Sequence, residues 1–159
     1  MSGKHTLEMT VLMTPEMANF SGNVHGGALL NLLDRVAFSC ASRYSGRYCV
    51  TLSVDQVIFK KPIFVGELVT FMASINATGR TSMEVGIRVE AEEIRSGKVR
   101  HTNSCYFTTV AVDDNRTPVE VPKRIPENDE ARKREEAAIL RRSLREDFTR
   151  RHAEINGEL

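Results

Sequence analysis

Asn23, His25, Gly26, Gly27 and Asp34 are the residues whose types and spacing could do chemistry. In Ser21-Gly22-Asn23-Val24-His25-Gly26-Gly27 an amide, an imidazole and two glycines stand at the start of an apolar segment. Asp34, eleven residues after Asn23, lies inside that segment. An apolar helix has no structural need of a carboxylate, because Asp is almost never buried without a partner. The arrangement therefore suggests a reaction centre. Taken alone it leaves three uses open: an anion site on the unbonded N–H groups of a helix start, a metal site, or a helix cap. The absence of further ligands disfavours the metal.

Such residues need elements to position them. Ala28 to Arg43 reads as a helix, with Leu29, Leu30, Leu32, Leu33, Val36, Ala37, Phe38, Cys40 and Ala41 around most of its circumference. A helix apolar nearly all round is a buried helix. Residues 5–13 alternate and read as a strand. Four longer strand-like segments follow the helix, at about 49–59, 67–77, 82–94 and 98–112. Turn signals separate them: Lys61-Pro62 with Gly66, Thr78-Gly79-Arg80, and Ser96-Gly97. Met83, Val85, Ile87, Val89 and Ala91 alternate with Glu84, Gly86, Arg88, Glu90 and Glu92, the pattern of a sheet with one wet face. Long strands without helices between them imply antiparallel pairing. The expected fold class is α+β: one buried helix wrapped by a five-stranded antiparallel sheet. Its edge strands need pairing or protection, and dimerisation through an edge would supply it.

Composition changes after Asp113. Residues 113–126 carry three prolines and read as an irregular connection. Asn128 can cap a final helix running to about Ala153. Its Ala137, Leu140, Leu144 and Phe148 form a narrow apolar stripe among dense charges, so the helix is expected to pack on a neighbouring surface or another subunit. The division is residues 1–122 for the core domain and 123–159 for a charged helical extension.

The 159 residues amount to about one domain. Lys+Arg 22 against Asp+Glu 21 gives no argument for nucleic acid. No apolar run approaches the roughly 20 residues needed to span a bilayer. The start of the chain has no apolar signal core, which makes the cytoplasm the expected location. Cys40, Cys49 and Cys105 are an odd number without a CxxC pair and read as reduced core residues.

Three segments together carry a family resemblance. Gly22-Asn23-Val24-His25-Gly26-Gly27 with Leu33-Asp34 resembles the helix start of the hotdog-fold acyl-CoA thioesterases. Phe59-Lys60-Lys61-Pro62-Ile63-Phe64-Val65-Gly66-Glu67 resembles that family's second signature, and Gly79-Arg80-Thr81-Ser82-Met83-Glu84-Val85 its third. The match covers about residues 5–122. It implies a hotdog fold and hydrolysis of an acyl-CoA thioester to a free acid and CoA, with no cofactor beyond the CoA of the substrate and no metal.

Under that resemblance each residue acquires an expected role. A backbone N–H near Gly27 would stabilise the oxyanion. Asp34 would act as general base on water or as nucleophile. Asn23 would orient the water or polarise the carbonyl. Lys60 and Lys61 would meet CoA phosphates, and Arg80, Thr81 and Ser82 the phosphates and pantetheine arm. His25 is expected to be structural. The resemblance further implies a homodimer sharing its sites, with Asn23 and Asp34 of one site from different subunits, in a trimer of dimers. A non-catalytic acyl-CoA-binding regulatory module is the alternative.

Overall fold

A computed structural model describes residues 4–158; Met1, Ser2 and Gly3, part of the stretch read as lacking a signal core, and Leu159 lie outside it. Strand β1 spans Thr6–Leu12, helix α1 Gly26–Ser45, β2 Tyr48–Val54, β3 Leu68–Thr78, β4 Ser82–Glu93, β5 Lys98–Val112 and helix α2 Asp129–Asn156. All neighbouring strands are antiparallel, in the order β1-β3-β4-β5-β2. The sheet wraps α1, which touches every strand. Leu33, Val36, Ala37, Cys40 and Ala41 on α1 are fully buried against Phe71, Val85, Val89 and Phe107 of the sheet. Met83, Val85, Ile87, Val89 and Ala91 all point into this core, as their alternation requires. No helix among the described residues is long and apolar enough to cross a membrane.

Three expectations need correction. Helix α1 starts two residues earlier than Ala28, because His25 caps it and both glycines fall inside its first turn. It ends where Gly46 turns left-handed, at φ +68°. Strand β2 stops at Val54 rather than Phe59: residues 55–62 leave the sheet and cross toward the start of α1. Nor is α1 buried all round. Leu30, Asp34 and Phe38 form an exposed row at four-residue spacing, since one sheet cannot cover the whole circumference of one helix.

The C-terminal helix is placed differently from its apolar pattern. Asn128 caps it, its side-chain oxygen accepting from the Ala131 amide at 2.8 Å. It packs on its own chain's sheet, on the face opposite α1. Arg141 pairs with buried Glu84 at 2.6 Å and stacks on the Tyr106 ring, and Arg145 grips Asp55 at 2.8 and 2.9 Å. The side chains of Glu84 and Tyr106 alternate with core residues of β4 and β5, so they lie outside the core. The arginines hold this helix, and the leucine stripe faces away.

Candidate active site

The start of α1 is tied down on three sides. The Val24 amide donates to the Ile63 carbonyl and the His25 amide to Met17, both at 2.8 Å. His25 Nδ1 then accepts from the Ala28 amide at 2.9 Å, so the imidazole is an N-cap with its proton on Nε2. The amides of Gly26 and Gly27, the first two of the helix, have no partner among the described residues. Such N–H groups sit at the positive end of the helix dipole and can receive a developing negative charge. Side chains are excluded there for specific reasons. A methyl group on Gly26 would lie 3.3 Å from the Phe59 ring, and one on Gly27 would lie 3.2 Å from His25 Nδ1.

Asp34 lies two turns further along the exposed row of α1. Thr51 of β2 donates its hydroxyl to Asp34 Oδ1 at 2.6 Å. A β-bulge between Thr51 and Ser53, where β2 slips against β5, sets the local direction of this strand. Sequence reasoning missed Thr51. Its one signal is a hydroxyl in an otherwise apolar run, Cys49-Val50-Thr51-Leu52.

The loop before α1 is organised by an asparagine, Asn19, rather than Asn23. Asn19 Oδ1 accepts from the Ser21 amide at 2.9 Å, the Ser21 hydroxyl at 2.8 Å and the Asn23 amide at 3.1 Å. This uses the oxygen and leaves the side-chain NH2 pointing outward from an exposed residue. Asn23 sits in an isolated bridge with Phe64 and is half-buried. Its side chain has no hydrogen-bond partner among the described residues.

The expected CoA-binding residues divide into two groups. Lys60 and Lys61 are exposed, next to the Phe59 ring that covers Gly26, and so lie near the helix start. Their loop is held by Glu67, whose carboxylate accepts from the Phe64 amide at 2.9 Å and from both Arg100 nitrogens at 2.6 and 2.7 Å. Burial alone pushes the Glu67 carboxyl up. The Arg100 hydrogen bonds, the Phe64 amide and the Arg100 charge outweigh it and leave it below the usual range. Arg80, Thr81 and Ser82 lie elsewhere. Val121 donates to the Arg80 carbonyl at 3.0 Å, and the next residue, Pro122, accepts from Tyr44 at the C-terminal end of α1 at 3.1 Å. A 20-residue helix is about 30 Å long, so within one chain this turn is far from Gly27. Cys40 and Cys105 are buried, their thiols pushed up to about 12 by burial. A thiol held that firmly protonated is a poor nucleophile.

A long helix wrapped by an antiparallel sheet in this strand order, with free amides at the helix start, is the hotdog fold. Residues 21–98 match the thioesterase superfamily. The chain is 51% identical over 139 residues to protein VdlD of Helicobacter pylori, covering 87% of this chain and 79% of that protein. Among solved structures, an acyl-CoA hydrolase from Bacillus cereus superposes with a TM-score of 0.89 at 32% identity, covering 99% of this chain and 96% of that one. An apo-hexameric acyl-CoA thioesterase does so at 0.87 and 32%, covering 91% and 92%. The acyl-CoA hydrolase of Staphylococcus aureus, solved with butyryl-CoA and CoA, matches at 0.83 and 28%, covering 94% and 93%. The chain therefore belongs to the thioesterase superfamily, in its hotdog-fold acyl-CoA hydrolase branch.

The Staphylococcus aureus enzyme has also been solved with alanine replacing an asparagine, an aspartate fifteen positions later, or a threonine seventeen positions after that. Asn19, Asp34 and Thr51 stand at these same two separations in this chain.

Proposed function

We propose that this protein hydrolyses acyl-CoA thioesters to a free carboxylic acid and CoA. The observation that carries the reading is the Thr51–Asp34 hydrogen bond at 2.6 Å, on the same helix whose first turn carries two free amides; in a dimer the amides of one copy would meet the carboxylate of the other. Thr51 occupies one carboxylate oxygen and leaves the other for water. The water attacks the thioester carbonyl carbon, and its proton passes to Asp34. The carbonyl oxygen, now negative, is held by the N–H groups of Gly26 and Gly27. The carbon–sulfur bond then breaks, the acid departs, and the CoA sulfur takes up the proton. Asp34 acting directly as nucleophile is the variant of this route that forms an acyl-enzyme first.

Asn19 takes the polar role that the sequence alone gave to Asn23. Its fixed oxygen aims the NH2 group, and its separation from Asp34 supports the substitution of one for the other. Lys60 and Lys61 meet the phosphates from the side of the helix start. Arg80, Thr81 and Ser82 serve the neighbouring subunit's site, because they stand about one helix length from their own chain's Gly27.

The working unit is a homodimer. Leu30 and Phe38 flank Asp34 on α1, and Tyr48 of the edge strand β2, 63% exposed, stands edge-on to the Phe38 ring at 5.4 Å. An apolar surface of that extent around a carboxylate needs a cover, and the same surface of a second copy supplies one. The hexameric relative supports further assembly into three dimers.

The test is release of free thiol from a panel of acyl-CoA esters of increasing chain length. Turnover of at least one ester, abolished by Asp34→Ala, is expected. Tight binding of every ester without thiol release would overturn the reading in favour of a regulatory acyl-CoA-binding module.

A further inference from the structure

Helix α2 carries an apolar row that its own chain does not cover. Ala138, Arg141 and Arg145 face the sheet, whereas Leu140, Leu144 and Phe148 are 59%, 59% and 69% exposed. Residues four apart form one ridge on a helix, the unit that packs into the groove of a neighbour. The ridge lies on the sheet face opposite α1, away from the site described above.

We infer that this ridge packs against the same ridge of a second copy of this chain, antiparallel, about a two-fold axis at Leu144. The pattern is self-complementary. Leu140 and Phe148 stand four residues either side of Leu144, so antiparallel pairing sets Leu144 on Leu144 of the other copy and Leu140 on Phe148. The charges follow the same symmetry. Glu136 lies eight residues before Leu144 and Arg151 seven after; Lys133 lies eleven before and Glu154 ten after. At 3.6 residues per turn Lys133 and Arg151 fall in line with the ridge beyond its two ends, and Glu136 and Glu154 on one flank of it; within one copy Arg151 also pairs with Asp147 and Glu154 with Arg150. Antiparallel packing therefore opposes Glu136 to Arg151 and Lys133 to Glu154, twice over. An unrelated partner would not require this internal symmetry.

This contact is distinct from the dimer proposed above and lies on the other side of the sheet. A chain with two different two-fold interfaces can close into rings of dimers, so the ridge is what links one dimer to the next.

The test combines molar mass by light scattering with disulfide trapping. Leu144→Glu places two carboxylates on the axis and reduces the assembly to a dimer whose circular dichroism is unchanged. Leu144→Cys, oxidised gently, links rapidly across the axis. Ile139→Cys, equally exposed but off the ridge, links slowly. The native cysteines, all buried, give no background. An unchanged mass for Leu144→Glu overturns the inference, as it would if the ridge served a different protein. Equal trapping at both positions, or none at Leu144→Cys, overturns it too. Thiol release from acyl-CoA is scored separately, so failure of this inference and failure of the proposed activity are read from different measurements.

Discussion

Thr51 and Asp34 are joined by a 2.6 Å hydrogen bond that crosses from the edge strand β2 to helix α1. The hydroxyl donates, so it fixes the carboxylate rotamer and leaves the second oxygen to accept from water. Hydrogen bonds to a charged group contribute about 1.5–3 kcal/mol. Thr51→Ala should therefore lower kcat by about ten- to a hundredfold with KM little changed, and Thr51→Ser should recover most of it. Asp34→Ala should cost about 10²–10⁴-fold, the range of a general base. The measurement is steady-state thiol release on folded variants. Equal activity in Thr51→Ala and the parent would remove Thr51 from the mechanism.

Asn19 holds its loop through the side-chain oxygen, and the proposed site uses the side-chain nitrogen that this leaves over. The two uses can be separated chemically. Asn19→Asp keeps the acceptor and the loop but loses the donor, so it should fold normally and lose about a hundredfold in kcat, as expected for one preorganised donor. Asn23→Ala should keep most of the activity. The opposite ranking, with Asn23→Ala inactive and Asn19→Asp active, would return the role to Asn23.

The architecture was legible because it is written in periodicity. Alternation in residues 82–92 and the apolar density of residues 28–41 dictate one sheet and one helix, and both stand where they read. What the sequence hid was direction and distance. Thr51 looks like any strand threonine until the fold sets β2 beside α1. Asn19 and Asn23 are equally good turn residues, and only the hydrogen bonds of the loop tell them apart. The apolar stripe of α2 suggested a packing face, yet Arg141 and Arg145 bind that helix to its own chain through Glu84 of β4 and Asp55 just beyond β2. Charge pairing overrode the apolar pattern there. Arg80 was grouped with Lys60 by function, and the fold sets them near opposite ends of α1.

His25 has a role in stability that can be told from catalysis. Its Nδ1 caps the Ala28 amide at 2.9 Å. His25→Ala should cost about 1 kcal/mol of stability, seen in a denaturant melt. His25→Asn should restore the cap and keep turnover within about tenfold of the parent, since Asn is a strong N-cap. A well-folded His25→Asn variant without activity would make the imidazole a chemical participant.

Glu67 and Arg100 predict a defined acid limb. The folded-state carboxyl of Glu67 is held below its ordinary value of 4.5. A depressed carboxylate contributes stability that is present above the unfolded value and is lost as pH falls through the folded one. The midpoint of thermal unfolding should therefore drop on acidification below about pH 4.5, and Glu67→Gln should flatten that limb. Arg100→Met leaves the buried carboxylate without its partner and should cost about 3 kcal/mol at neutral pH. Adding Glu67→Gln to Arg100→Met should recover part of it. An acid limb identical in parent and Glu67→Gln would show that other carboxylates govern it.

A shared site makes a prediction that no single-chain site makes. If Asn19 of one subunit serves Asp34 of the other, the two substitutions fall in the same site when they are on different chains. Asn19→Asp and Asp34→Ala proteins, each strongly impaired alone, then give mixed dimers in which one site collects both defects and the other collects neither. That second site is wild type, and two-fold symmetry guarantees it. Unfolding and refolding the two variants together should restore thiol release, while mixing them without exchange should not. If each chain instead built its own site, every site in the mixed dimer would carry one defect and no activity would return. Both variants must first reach the parent's molar mass, so that a failure to recover reports on the site and not on assembly.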